Sequence, residues 1–165
     1  MHHDSTPKKF VSWHPDPEAC AVDAFTIAWQ TQLNYALSPF SLIPRVLSKV
    51  QQYQACVLLV APVWTCQIWY PMLLRLLIER PVLFPRWWNL MTQPHNGKPH
   101  PLRHEIHLAV WHVSGECSRI KAFQKTLPRS SSNPGLQDLK NSTTNPGESG
   151  LGGVIDGRVI FFKHL

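Results

Sequence analysis

Three groups of side chains in this 165-residue chain have the types and spacing to do chemistry. Arg75, Arg80, Arg86, Lys98 and Arg103, with Trp87 and Trp88 among them, mix phosphate-pairing cations with rings on which bases stack. A single-strand site needs those charges along one groove, whereas the same residues spread over a solvated basic surface bind nothing. His100, His104 and His107 stand at i, i+4 and i+3 intervals, which on a helix would align three imidazoles for zinc. Pro99 and Pro101 keep His100 out of any regular helix, and His107 comes one residue too early for an HExxH motif, so no metal site is expected. Asp23, ahead of an aromatic, reads as a turn or cap residue, and Asp16 with Glu18 as a water-facing pair. No nucleophile elbow, P-loop or paired catalytic carboxylate occurs.

The elements that must position these groups follow from periodicity. Residues 1–18 are polar and Pro-rich, an extended entry segment. Over 19–37, Val22, Phe25, Ile27, Trp29, Leu33 and Tyr35 predict two short strands, or a strand and a turn. Ser41 is the expected N-cap of a helix over 42–53, with Pro44 in its first turn and Ile43, Leu47 and Val50 on one face. The run 55–61 predicts a strand buried on both faces, 69–79 a helix stopped by Pro81, 82–84 a short strand and 106–113 another. Strand, helix, strand, helix, strand is the pattern of a parallel α/β sheet, here assigned to residues 19–113. A membrane span over 56–78 is the rival, but Arg75 would cost about 2.5 to 3.5 kcal/mol at its centre and Pro62 and Pro71 would split it. No membrane association is expected.

Residues 114–127 read as a connecting segment and 128–153 as a disordered linker, because its two polar runs each end in Asn-Pro-Gly and hold few large apolar groups to offset ordering entropy. Residues 154–165 read as a short hairpin-like end, turning at Asp156-Gly157. The net charge of +6 is spread evenly, with nine Lys and Arg against six Asp and Glu over 1–112 and seven against four over 113–165. Nucleic acid is therefore the one macromolecular partner that composition leaves open, through Arg86, Trp87, Trp88, Lys98 and Arg103, and no protein partner is indicated. Cys20, Cys56, Cys66 and Cys117 show no CxxC spacing and follow no leader, so they are expected to be reduced, buried thiols of an intracellular protein.

Several motifs carry a resemblance. Phe10-Val11-Ser12-Trp13-His14-Pro15-Asp16-Pro17-Glu18-Ala19, then Val22-Asp23-Ala24-Phe25, Ser38-Pro39-Phe40-Ser41-Leu42-Ile43-Pro44-Arg45-Val46-Leu47 and Val63-Trp64-Thr65-Cys66-Gln67-Ile68-Trp69-Tyr70 occur in that order. The chain resembles the polyprotein of DIRS-like retrotransposons, which integrate with a tyrosine recombinase, in the region after reverse transcriptase and RNase H that is similar to a phage-type adenine methyltransferase. Val113-Ser114-Gly115, the Ser-rich stretch 129–134 and Ser149-Gly150-Leu151-Gly152-Gly153-Val154-Ile155-Asp156-Gly157 resemble the linker before the recombinase. The resemblance implies an α/β, partial parallel-sheet, methyltransferase-like Rossmann fragment that starts inside one domain and stops before the next.

It also implies where chemistry would sit. DNA amino-methyltransferases carry Asp or Asn, Pro, Pro and an aromatic; the polar side chain accepts a hydrogen bond from the flipped base's amine while the ring stacks on that base. Here Leu37 replaces the acid or amide, Ser38 replaces the first proline, and Pro39 and Phe40 match. Leu37 accepts no hydrogen bond. No Gly-rich strand-to-helix turn for S-adenosylmethionine precedes the tetrapeptide, and Gly150-Leu151-Gly152-Gly153 follows the linker instead, so no cofactor is expected. The expectation is a polyprotein fragment without independent catalysis; a basic nucleic-acid-binding module and an active adenine methyltransferase are the alternatives.

Overall fold

A computed structural model describes residues 10–12, 14–29, 33–85, 97–99, 101, 105–129 and 152–164. The expected linker 128–153 lies almost wholly outside the described residues. Strands β1 (Val11–Ser12) and β2 (Ala21–Val22) form a small parallel pair. The main sheet is built from β3 (Leu33–Leu37), β4 (Cys56–Pro62), β5 (Val82–Leu83), β6 (Leu108–Ser114) and β9 (Lys163–His164), in the order β3-β4-β6-β5-β9. Helix α1 (Ile43–Tyr53) joins β3 to β4, and α2 (Tyr70–Arg75) lies between β4 and β5. Helix α3 (Cys117–Thr126) follows β6, and a hairpin of β7 (Gly152–Ile155) and β8 (Arg158–Phe161) precedes β9.

The sheet is mixed, which corrects the expected parallel sheet. β3 pairs parallel with β4, but β6 inserts between β4 and β5 and runs antiparallel to both. An apolar run buried on both faces looks the same in either direction, so hydropathy carries no information on this point. Alternation turns Val57, Leu59 and Ala61 of β4 and Ala109, Trp111 and Val113 of β6 to one face, where they meet Ile43, Val46, Leu47 and Val50 of α1 and Tyr70, Leu73 and Leu74 of α2 in one core. Cys56 and Val60, equally buried, lie outside that core because the same alternation turns them to the opposite face.

Helix α1 starts at Ile43 after a single 3-10 turn (Phe40–Leu42), so Ser41 is not its N-cap, and no side-chain cap bond is made there. A missing cap costs about 1 kcal/mol; fully burying Ile43, Leu47 and Val50 contributes roughly 1.5 to 3 kcal/mol each and outweighs it. The helix ends at Gln54 in the left-handed region, with φ 49°. Gly115 packs against this end: a Cβ there would meet the Val50 carbonyl oxygen at 2.2 Å, so only glycine fits.

Two further differences stand out. The segment 114–127 contains a ten-residue helix rather than a bare connection; Ile120 and Phe123 pack on the core and Leu127 is buried. The hairpin turns at Asp156 and Gly157, both at positive φ, as a two-residue turn requires. It is docked, with Ile155 and Ile160 in the core and Arg158 donating to the carbonyls of Gln124 and Leu127 at the end of α3.

Candidate functional site

The tetrapeptide Leu37 to Phe40 sits at the carboxyl end of β3 and leads straight into α1. Leu37 is 67% exposed on the edge strand. The Ser38 hydroxyl is buried without a hydrogen-bond partner, and the Pro39 carbonyl accepts from Leu42 N. Phe40 meets Trp64 edge to face, with centroids 5.0 Å apart. Its ring is thus held by the loop after β4 rather than offered to a base. Beside that loop, Thr65, Tyr70, Pro71, Leu74, Arg75 and Asp156 border an open cleft of about 360 Å³. The Tyr70 hydroxyl is also buried without a partner, and burial pushes its pKa up to about 12.

Among the described residues, cations and aromatic rings come together around the turn after β2 and helix α1. The turn after β2 is closed by Asp23, whose carboxylate accepts from Phe25 N while its backbone adopts φ 59°. It lays Phe25 and Trp29 over α1. The Arg45 guanidinium stacks 4.0 Å from the Phe25 ring centre; buried Lys49 donates to the Phe25 carbonyl at 2.7 Å and lies 4.7 Å from the Tyr53 ring centre. Desolvation lowers the Lys49 pKa, the Arg45 charge lowers it further, and Asp23 opposes both. These rings are engaged internally by cation–π contacts.

Of the expected patch, Arg86, Trp87, Trp88 and Arg103 fall outside the described residues; Lys98 falls within them. His100 and His104 also fall outside. Among the described residues, no group of three His, Cys, Asp or Glu could hold a metal, and no helix is long and apolar enough to cross a membrane. The cysteines are all free, but Cys20, Cys66 and Cys117 are exposed, which corrects the expectation of four buried thiols; Cys56 alone is buried.

Cys56 belongs to a constellation that sequence reading missed. Its Sγ lies 3.2 Å from His112 Nε2, and His112 Nδ1 lies 3.2 Å from Glu79 Oε2. Lys163 Nζ donates to the other Glu79 oxygen at 3.1 Å, and Arg119 Nη1 points at Sγ from 3.7 Å while Arg119 Nε pairs with Glu116 at 2.8 Å. Hydrogen bonds from His112 first, then Lys163, hold the Glu79 carboxyl below the usual carboxylate range. The antiparallel register builds this group: Cys56 faces Ser114 and Leu58 faces His112, so the thiol and the imidazole share a sheet face two residues apart. No spacing signal marks residues 23 and 56 positions from Cys56; only the pairing of β4 with β6 brings them together. Comparisons with protein-family models, with curated proteins and with solved structures found no match.

Proposed function

We propose that the chain is a methyltransferase-like segment of a DIRS-like retrotransposon polyprotein in which methyl transfer has been lost. The placement of the tetrapeptide carries this reading: Leu37 to Phe40 cap the carboxyl end of a parallel strand, where open α/β sheets place their ligands. Strand order adds support. Rossmann-like methyltransferases insert an antiparallel strand between the last two parallel strands of the sheet, and in β3-β4-β6-β5 the antiparallel β6 stands between β4 and β5, one strand removed from the β3 that bears the tetrapeptide. The loss of activity rests on side chains. Leu37 supplies no acceptor for an exocyclic amine, the Ser38 hydroxyl is buried, and Phe40 is committed to Trp64.

Calorimetry with S-adenosylmethionine tests the reading: no saturable binding is expected below about millimolar, where affinity corresponds to roughly 4 kcal/mol, and no labelled methyl group should reach DNA. Tight donor binding or methylation overturns the loss of activity. The origin is tested by the flanking DNA, which should encode reverse transcriptase and RNase H upstream and a tyrosine recombinase downstream. Intact single-copy exons on both sides would remove the retroelement reading.

A further inference from the structure

We propose that Cys56 is a nucleophilic thiol that reacts with small hydroperoxides, with His112 as its base and Glu79 as the residue that positions the imidazole. The inference is independent of the methyltransferase-like reading, because it rests on the opposite end and the opposite face of the sheet.

The carboxylate sets the direction of the contact between His112 and Glu79. An ionised carboxylate only accepts, so His112 Nδ1 carries the proton that Glu79 receives across 3.2 Å. In the neutral form of that ring Nε2 carries a lone pair, to which the Cys56 thiol can donate across 3.2 Å. A base is therefore aimed at the thiol proton and held by a carboxylate, which Lys163 in turn holds from the other side. Arg119 sets a permanent positive charge 3.7 Å from the same sulfur, where it stabilises negative charge developing as the proton leaves.

Geometry selects the electrophile. Cys56 is only 5% exposed, so a large substrate does not reach Sγ. Acyl transfer also needs donors for an oxyanion, yet β4 is paired on both edges, which commits its backbone N–H groups to the ladders. A hydroperoxide needs no oxyanion hole and is two heavy atoms long at its reactive end. Sγ attacks the terminal, hydroxyl-bearing peroxide oxygen as its proton passes to His112 Nε2. The O–O bond breaks, and the departing alkoxide, or hydroxide where the oxidant is hydrogen peroxide, takes that proton and leaves as the alcohol or water. Sulfur is oxidised to the sulfenic acid, the peroxide is reduced, and the ring returns to its starting tautomer.

The test treats the full chain with limiting hydrogen peroxide, traps sulfenic acid with dimedone and locates the adduct by peptide mass spectrometry. Cys20, Cys66 and Cys117 serve as exposed comparators in the same molecule. Cys56 is expected to be labelled faster than all three despite its burial, and His112→Gln to slow it by about a hundredfold, the contribution of a positioned base. Arg119 is half exposed, so Arg119→Gln leaves the melt unchanged and should still slow Cys56 several-fold without touching the comparators. Glu79→Gln, which can still accept from Nδ1–H, should keep most of the rate that Glu79→Ala loses. Cys56 labelled more slowly than the exposed thiols, or labelled only after denaturation, would make it a packed core group. An unchanged rate in His112→Gln, or in Arg119→Gln where the histidine variant does not fold, would overturn the mechanism.

Discussion

The two ends of strand β4 are built on opposite plans. At the carboxyl end, where the tetrapeptide and the loop after β4 meet, aromatic packing dominates: Phe40 on Trp64, and Trp111 edge to face with both Tyr70 and Phe162. Two hydroxyls there, Ser38 and Tyr70, are buried without partners. At the amino end, six residues or roughly 20 Å away along the strand, Glu79 is bonded by Lys163 and His112, His112 reaches Cys56, and Arg119 joins the sulfur to Glu116. The polar groups at the tetrapeptide's end are unconnected, while those at the other end form a connected set. A buried polar group without a partner costs roughly 1 to 3 kcal/mol.

The largest way to break this contrast is at the aromatic end. Trp111 is fully buried and its indole N–H donates to the Ala61 carbonyl at 3.0 Å. Trp111→Ala should destabilise the fold by about 3 to 5 kcal/mol, read from the denaturant midpoint. A loss under about 1 kcal/mol would mean that the aromatic cluster does not hold the carboxyl end together. Next in size is the contact at the other end. Gly115→Ala drives a methyl group into the Val50 carbonyl and to within 2.8 Å of Gln54 Cα, so a loss of about 1 to 3 kcal/mol is expected. A neutral result would show that α1 and the end of β6 slide freely past each other.

The same contrast explains what was legible in the chain. Pattern alone placed α1, β4 and the Asp156-Gly157 hairpin to within a few residues, because each has strong local cues: an apolar face, an unbroken apolar run, and a turn dipeptide that tolerates positive φ. The mixed direction of the sheet was illegible, since Leu108 to Ser114 reads identically in either direction. Helix α3 was missed because Ile120, Phe123 and Leu127 are a thin stripe among Lys, Arg, Gln and Ser. The tetrapeptide was legible as a motif, but not the commitment of Phe40 to Trp64. The Cys56, His112 and Glu79 group was invisible for a different reason: its members converge only through long-range pairing, which no local window contains.

A smaller effect sharpens the comparison at the aromatic end. Removing an unpartnered buried hydroxyl relieves its desolvation, so Tyr70→Phe should be neutral or stabilise by up to about 1 kcal/mol, against the usual sign for a tyrosine. The pH dependence carries the same signature. With its pKa near 12 in the fold and 10.0 as the ordinary value, Tyr70 keeps its proton in the native state after the unfolded chain has lost it. Its contribution is intact below pH 10 and is lost as pH rises toward 12. Lys49, whose pKa is lowered, acts with the opposite sign below 10.5, so the difference between wild type and Tyr70→Phe isolates the phenol. A clear loss of stability in Tyr70→Phe would reveal a partner for that hydroxyl.

The smallest effect belongs to the polar end. Glu79 is about half exposed, so its bonds to His112 and Lys163 are screened by water and contribute about 0.2 to 1 kcal/mol. Because the folded carboxyl titrates below its ordinary value of 4.5, the native state holds fewer protons than the unfolded chain in that window. The stabilisation is therefore complete above pH 4.5 and disappears as pH falls through the lower folded value. Glu79→Gln should flatten the stability curve there while costing little at neutral pH, and 1 M salt should shrink the wild-type slope. An unchanged acid limb in Glu79→Gln would mean that the carboxylate does not hold His112, and with it would go the distinction between a connected amino end and a disconnected carboxyl end of β4.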